Sequence, residues 1–167
     1  DSKQSRGLGD VYKRQLCVAT YQGDLAPSLI VLEGTIHIIG PHGPREVPAE
    51  AFFQLDGITR NILEEGEFVL KVTFPQGVEN RVGSYKKLRV RESWDFPEAG
   101  VASSWIRGDP SSLRIASTAL ESIPRSHQAE IDAFDESFSS ELINPLSEAI
   151  MKSLSLIHIS EPTRLLA

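Results

Sequence analysis

The residues best suited to chemistry stand together in the stretch 83–102. Tyr85 is followed there by Lys86 and Lys87, and Arg89 and Arg91 come after them. A cationic strand beside an aromatic ring suits a planar, anionic ligand, because the charge attracts the anion and the ring offers a flat surface. The same run also fits an amphipathic strand at a domain edge whose lysines and arginines are solvated.

Few other side chains are placed for catalysis. Cys17 is the only cysteine, which excludes an intrachain disulfide framework and a self-contained cysteine metal site. We interpret it as a small, buried thiol, because no histidine or acidic partner can be assigned to it as in a nucleophilic site. His37 and His42 lack a third ligand nearby, so they are expected to be exposed on a strand and a turn. The G-x-S-x-G, H-E-x-x-H, Walker and C-x-x-C motifs are absent.

Composition narrows the class of protein. The 167 residues, 40% of them hydrophobic, suffice for one domain, or for a small domain and part of another. The formal net charge of -6 argues against a nucleic-acid-binding protein that works through bulk electrostatics. The sequence contains no run of about 18 apolar residues that could span a membrane. The N-terminus lacks the order of basic, apolar and small residues that marks a secretory signal. A reducing cytoplasm is the expected location.

The two ends of the chain have the character of foreign sequence. Residues 5–15 (S-R-G-L-G-D-V-Y-K-R-Q) and 154–164 (L-S-L-I-H-I-S-E-P-T-R) can be encoded in frame by opposite strands of one DNA segment. This relation is typical of a sequencing adapter translated on either side of a read. We therefore expect residues 1–15 and 154–167 to be adapter-derived and exclude them from the interpretation of the fold. Residues 16–153 would then be an internal piece of a longer protein.

Asp24 is expected to begin a helix. Its carboxylate can cap exposed backbone N–H groups, Pro27 is tolerated in a first turn, and Gly34 provides a C-terminal stop. The spacing of four apolar residues predicts the buried face, formed by Leu25, Leu29, Ile30 and Leu32.

The middle of the chain predicts strands. The expected elements are strands over 35–40 and 45–47 around a turn at 41–44, a short helix over 48–53 and a half-buried strand over 68–74. Phe52 and Phe53 are expected to enter the core, and Phe68 and Val69 are both assigned to the core of their strand.

The C-terminal part predicts an antiparallel meander followed by helices. Residues 76–82 are polar and are interpreted as a linker between two subdomains. The expected elements beyond it are strands over 101–107 and 113–120 around a turn at 108–112, and helices over 124–134 and 139–153. The apolar side of the last helix is formed by Leu142, Ile143, Leu146, Ala149 and Ile150. His127 is expected to face solvent.

The motif Y-x-K-L-x-x-R at 85–91, with W-D-F-P at 94–97 and A-G-V-A at 99–102, resembles a known flavin-contacting strand. It occurs in the FAD-binding subunits of molybdenum hydroxylases, which include carbon monoxide dehydrogenase, the xanthine dehydrogenase flavin domain and 4-hydroxybenzoyl-CoA reductase. Further similarities are L-C at 16–17, D-L-A-P at 24–27, V-P-x-x-x-F-F at 47–53 and L-x-x-G-E at 63–67.

The resemblance implies an α+β fold in two parts. Residues 16–82 would be the second half of a PCMH-type FAD-binding subdomain. Residues 83–153 would be a truncated C-terminal domain, like that of the carbon monoxide dehydrogenase flavoprotein, with a small antiparallel sheet and helices. The glycine-rich loops that hold the pyrophosphate in relatives would precede residue 16, so this chain alone is expected to bind FAD poorly.

The resemblance also implies the site residues. Asp24, Val69, Tyr85 and a lysine would bind FAD. The lysine is either Lys86 or Lys87, because the register of this strand slips by one residue among relatives. Tyr85 would pack by the isoalloxazine, and the lysine would favour the reduced, anionic flavin through Coulomb attraction. Cys17 is a weak candidate for an iron–sulfur ligand, since one branch of the family carries a four-iron cluster on an inserted loop nearby.

The implied function is electron transfer within a molybdenum hydroxylase complex. An oxidoreductase of this class carries molybdopterin on a large partner subunit and [2Fe-2S] clusters on a small one, and FAD exchanges electrons with those clusters and an external partner. No catalytic residue is expected on the flavin subunit itself, because the flavin performs the redox chemistry. The alternative is a non-enzymatic α+β assembly or adaptor module that shares only the fold.

Overall fold

The computed structural model of the chain describes residues 16–17, 19, 23–54, 59–90, 96–134 and 140–154. These residues form an α+β fold with two antiparallel sheets and short helices, as expected. Among them, no helix is long and apolar enough to cross a membrane. Outside the described residues lie Trp94, Asp95 and both segments expected to be adapter-derived, apart from Leu154.

Within the described ranges, the first sheet has three strands in the order β2-β1-β3, with β1 at Thr35–Gly40, β2 at Gly43–Pro48 and β3 at Phe68–Thr73. A two-residue turn joins β1 to β2. Gly43 follows this turn with a φ of +102°, a backbone conformation that would be strained for a residue with a side chain. The inward residues Ile36 and Ile38 are fully buried. The predicted strand–turn–strand is thereby confirmed.

The second sheet is the predicted meander. Its strands are β4 at Arg81–Leu88, β5 at Ala99–Ile106, β6 at Asp109–Thr118 and β7 at Arg125–Ser126, in the order β4-β5-β6-β7. The expected linker at 76–82 is partly regular, because Val78–Asn80 form a 3-10 helix and Arg81 already begins β4.

Beside the sheets lie the α-helices α1 at Leu25–Val31, α2 at Gln128–Asp132 and α3 at Ile143–Ser153. Short 3-10 helices occupy Ala49–Phe52 and Ser140–Leu142. The expected helix over 124–134 is shorter than predicted, because Arg125 and Ser126 pair with β6 and the helix starts only at Gln128. Pro145 lies in the first turn of α3, where its missing N–H has no intrahelical partner to lose.

Helix α1 was expected to stop at Gly34, but the residue that ends it is a different one. The residue with left-handed backbone is Glu33, with a φ of 55°, and not Gly34. The N–H of Gly34 donates to the Leu29 carbonyl at 2.9 Å and the N–H of Glu33 to the Ile30 carbonyl at 3.0 Å, which is a Schellman arrangement.

Burial predictions were wrong for Phe68 and His127, and in part for His37. On β3 only Val69 is buried, at 7% exposure, whereas Phe68 is 57% exposed, because successive strand residues face opposite sides of the sheet. His127 is fully buried instead of facing solvent, since its backbone N–H pairs with the Ile115 carbonyl and its ring turns inward beside β6. His37 is only partly exposed and bonds to Thr73, whereas His42 lies exposed in the turn as predicted.

One hydrophobic core joins the two sheets through α1. Most of its members come from α1, the 3-10 helix at 49–52, β1, β3, β5 and β6, and they include Leu29, Ile36, Phe52, Val69, Ala102 and Ala116. Phe52 and Phe53 are both buried, as predicted, and their rings meet edge to face with centroids 5.5 Å apart.

Candidate functional site

The candidate site lies where the N-terminal end of α1 meets the edge strand β4. Alternation along β4 puts Tyr85 and Lys87 on one face, partly buried, and the exposed Lys86 on the other. The strand geometry therefore separates the two lysines that the sequence left as alternatives. Lys87, and not Lys86, shares a face with Tyr85.

Asp24 binds both of these side chains. The Tyr85 hydroxyl donates to Asp24 Oδ1 at 2.7 Å, and Lys87 Nζ donates to Asp24 Oδ2 at 2.8 Å. Asp24 is the N-cap residue of α1, as predicted, but its carboxylate makes no capping bond, so that part of the expectation was wrong. The carboxylate is instead held by β4, which lies 61 and 63 residues further along the chain.

Contacts at the other end of α1 fix the helix over the second sheet. Ser104 Oγ donates to the carbonyl of Val31, the last residue of α1, at 2.6 Å. Arg114 on β6 pairs with Glu33 at 2.7 Å. Because both ends of α1 are tied to this sheet, Asp24 has a defined position relative to β4.

Electrostatics favour a protonated phenol beside a paired lysine. Partial burial and the hydrogen bond to Asp24 raise the pKa of Tyr85, so the hydroxyl remains a donor at neutral pH. The Lys87 ammonium is neutralised by the Asp24 carboxylate at 2.8 Å. The cation therefore acts on a neighbouring ligand as one end of a dipole and not as an isolated charge.

The ring of Tyr85 passes close over β5 at a glycine that sequence reasoning had not singled out. Tyr85 is paired with Ala102, but its hydroxyl reaches diagonally towards Gly100, the partner of Lys87. A Cβ at Gly100 would lie 2.6 Å from the Tyr85 hydroxyl oxygen. The glycine within A-G-V-A was the available signal.

The remaining predicted site residues lie elsewhere. Val69 is buried on β3, opposite Ile38 of β1. Cys17 packs partly buried against the core, and its carbonyl accepts a bond from Asn61 Nδ2 at 2.6 Å. No group of three or more His, Cys, Asp or Glu side chains suited to a metal ion occurs within the described part of the chain.

A second polar cluster has the order of a serine–histidine–acid site but no access. Ser117 Oγ lies 2.8 Å from His127 Nε2, and His127 Nδ1 lies 3.9 Å from Glu130 Oε2. Ser117 is only 3% exposed, so its hydroxyl cannot reach a substrate. Burial lowers the pKa of His127, although Glu130 opposes this effect. The cluster is a buried structural network.

Comparison with known proteins identifies relatives on both sequence and structure. Residues 15–77 match the family described as the FAD binding domain in molybdopterin dehydrogenase. The carbon monoxide dehydrogenase medium chain of Hydrogenophaga pseudoflava is 34% identical over 83 residues, which are 49% of this chain and 28% of that protein. The aldehyde oxidoreductase FAD-binding subunit of Escherichia coli (strain K12) is 30% identical over 93 residues, 53% of this chain and 29% of that protein.

Solved structures extend the likeness over most of this chain. Carbon monoxide dehydrogenase from H. pseudoflava lacking the Mo-pyranopterin moiety aligns with a TM-score of 0.74 and 26% identity, over 84% of this chain and 49% of that one. Quinoline 2-oxidoreductase from Pseudomonas putida 86 aligns with a TM-score of 0.67 and 21% identity, over 86% and 51%, which bears on the fold alone. The chain spans about half the length of these solved relatives.

Proposed function

We propose that this chain is part of an FAD-binding subunit of an oxidoreductase, from the premise that residues 15–77 belong to the FAD-binding domain family of molybdopterin dehydrogenases. The observation that carries the proposal is the meeting of Asp24 with Tyr85 and Lys87 at 2.7 and 2.8 Å. These side chains come from two distant segments, and each segment independently resembles a flavin-contacting motif.

The chemistry of these residues fits an isoalloxazine dinucleotide. Tyr85 offers a fixed, half-buried ring for a planar group. Each Asp24 oxygen retains lone pairs after binding Tyr85 and Lys87, so the carboxylate can accept from a ribose hydroxyl or a ring N–H of the ligand. Lys87 offers its remaining donors, and Val69 contributes through its backbone. The exposed Lys86 faces away from Tyr85 and is the weaker candidate.

FAD, when bound, supplies the electron-transfer chemistry, and the protein supplies binding, orientation and electrostatics. We propose that the flavin exchanges electrons with [2Fe-2S] clusters on a small partner subunit, and that molybdopterin resides on a large one. We also propose that the FAD-binding subdomain ends at residue 82, that the C-terminal domain begins at residue 83, and that the protein is cytoplasmic. The names of the relatives, a medium chain and an FAD-binding subunit, support a complex of several subunits.

The test compares Lys87→Ala with Lys86→Ala in the full-length protein encoded by the complete gene. Wild-type protein is expected to bind about one FAD per chain. Loss of Lys87 is expected to weaken FAD binding about tenfold, equivalent to roughly 1.4 kcal/mol, because it removes one charge-assisted contact and frees Asp24. Flavin fluorescence quenching measures the Kd.

Lys86→Ala is the matched control, because it removes the same charge from the opposite face of the same strand. It should leave the Kd within about twofold of wild type, a change of less than 0.5 kcal/mol. Full-length protein that binds no FAD would refute the proposal in favour of a cofactor-free assembly module. Equal effects of the two lysines would refute the assignment of the site.

A further inference from the structure

We infer that Gly100 is a positioning residue of the flavin site: its missing side chain leaves the space through which Tyr85 crosses β5 to reach Asp24. The inference deepens the proposed function and rests on it. Gly100 itself need not touch the ligand.

The space over Gly100 is filled from two sides. A Cβ built on Gly100 would lie 2.6 Å from the Tyr85 hydroxyl oxygen, 3.3 Å from the ring carbon that carries it, and 2.7 Å from Thr118 Cγ2. Separations below 3.0 Å are not sustained between such atoms, so something must shift. Thr118 is 1% exposed and packed in β6, whereas Tyr85 lies on the edge strand β4. Tyr85 is therefore the side chain that has to move.

The backbone gives no other reason for a glycine here. Gly43, Gly66, Gly77 and Gly108 have positive φ angles, but Gly100 is not among the positive-φ glycines. It is a regular strand residue, paired with Lys87 on one side and Thr118 on the other. Its absent side chain matters for the close approach of Tyr85, and not for a turn or a bend.

A displaced Tyr85 would lose its bond to Asp24. The hydroxyl donates to Asp24 Oδ1 at 2.7 Å, and a bond this short does not survive a shift of an ångström. Lys87 would still hold Oδ2, but the carboxylate would keep only one of its two partners. The orientation of both the aromatic ring and the acid would then be less defined for the ligand.

The experiment is a double-mutant cycle in the full-length, FAD-binding protein. Gly100→Ala is expected to weaken FAD binding about tenfold (roughly 1.4 kcal/mol). Tyr85→Phe removes the oxygen at 2.6 Å, so the 3.3 Å contact with the ring carbon is the only one left from residue 85. If Tyr85 carries the effect, adding Gly100→Ala to Tyr85→Phe should change the Kd by less than about twofold. Such non-additivity identifies Tyr85 as the route of the effect.

Two further variants separate this route from general strain. Gly83→Ala is the matched control on β4, because its Cβ would meet only the Ser103 carbonyl at 3.6 Å, and it should leave the Kd unchanged. Thr118→Ser removes Cγ2, the obstacle on the other side. An effect of Gly100→Ala that disappears with Thr118→Ser and persists with Tyr85→Phe would overturn the inference.

The remaining outcomes distinguish a failure of the proposed function from a failure of the inference about Gly100. Full-length wild-type protein without FAD would overturn the proposed function and this inference together. Normal FAD binding with additive free energies in the cycle would overturn the inference alone. Where Gly100→Ala does not fold, circular dichroism of the double variant decides: a folded Gly100→Ala/Tyr85→Phe protein supports the route through Tyr85, and an unfolded one contradicts it.

Discussion

His127 carries an imidazole that its surroundings keep neutral. The ring is enclosed by β6 and α2, and it is bonded through Nε2 to Ser117. Burial lowers its pKa from the ordinary value of 6.5, while the carboxylates of Glu130 and Glu121 act to raise it and Arg125 to lower it. Nδ1 and Glu130 Oε2 have no hydrogen-bond partners among the described residues.

The lowered pKa predicts a stability that depends on pH. Below pH 6.5 the unfolded chain takes up a proton on this histidine that the folded chain does not, so the free energy of unfolding falls as the pH drops towards the folded-state pKa. One such proton changes this free energy by at most about 1.4 kcal/mol per pH unit. Urea titrations between pH 7.5 and 5 measure the slope.

His127→Gln should flatten this dependence, because glutamine can keep a bond to Ser117 without titrating. His42→Gln, which alters an exposed turn residue, provides the control and should leave the slope unchanged. A wild-type stability that stays constant between these pH values would contradict the explanation.

The family resemblance gave the residues of the candidate site, and neither it nor local sequence rules gave their contacts. The aromatic and cationic run at 85–87 drew attention to Tyr85 and left Lys86 and Lys87 as alternatives. The expectation for Asp24 was a capping bond, because capping is the usual role of an aspartate before an apolar run. The actual partners lie on another strand, and no local pattern encodes that. His127 was misjudged for the same reason, since pairing with β6 decides which way it turns.

At the scale of elements, Ser104 links α1 to the second sheet. Its hydroxyl donates to the Val31 carbonyl at 2.6 Å and accepts from Arg81 Nε at 3.1 Å. The carbonyl belongs to the last turn of α1, where it has no intrahelical partner. One fully buried hydroxyl thus satisfies a helix end and a guanidinium together.

Ser104→Ala should destabilise the protein by about 1–3 kcal/mol, because it leaves a buried carbonyl and a guanidinium N–H without this partner. The adjacent Ser103→Ala, on the opposite and less buried face of β5, should change stability by less than about 0.5 kcal/mol. Urea midpoints of the two variants measure the difference. Equal midpoints would show that the hydroxyl bonds contribute nothing net.

Elements were predicted well where the sequence had one apolar face, and poorly where it had two. The strand–turn–strand at 35–48 alternates clearly and was confirmed. Residues 68–74 place Phe68 and Leu70 on one side and Val69 on the other, so the pattern alone could not tell which side is buried. The pairing of β3 with β1 determines that the side carrying Val69 is buried. Likewise, only pairing with β6 explains why residues 125 and 126 are a strand and not the start of a helix.

At the scale of the whole molecule, one core holds both sheets. Phe52 contributes a fully buried ring next to Phe53, and the cluster around it extends from Ile36 in the first sheet to Ala102 and Ala116 in the second. The two parts expected from the sequence therefore share their hydrophobic interior, within the ranges that the structure describes.

Phe52→Ala should cost about 3–5 kcal/mol, because it removes a large, fully enclosed side chain and leaves a cavity. Phe68→Ala removes the same ring from an exposed position and should cost less than about 1 kcal/mol. Amide hydrogen exchange should show β1 and β5 losing protection together in Phe52→Ala. Loss of protection in the first sheet alone would mean that the sheets unfold independently.

The contacts of Arg125 affect the access of water to the buried imidazole of His127. The Arg125 guanidinium donates to the Ser153 carbonyl at the end of α3 at 2.7 Å and to Glu130 at 2.8 Å. Leu146 is the single buried residue of α3, so the contacts of Arg125 help to hold that helix in place. We expect separation of α3 to expose Glu130 to water and to open a path for water towards His127. The rate of proton exchange at that ring should therefore follow the frequency with which the last helix detaches.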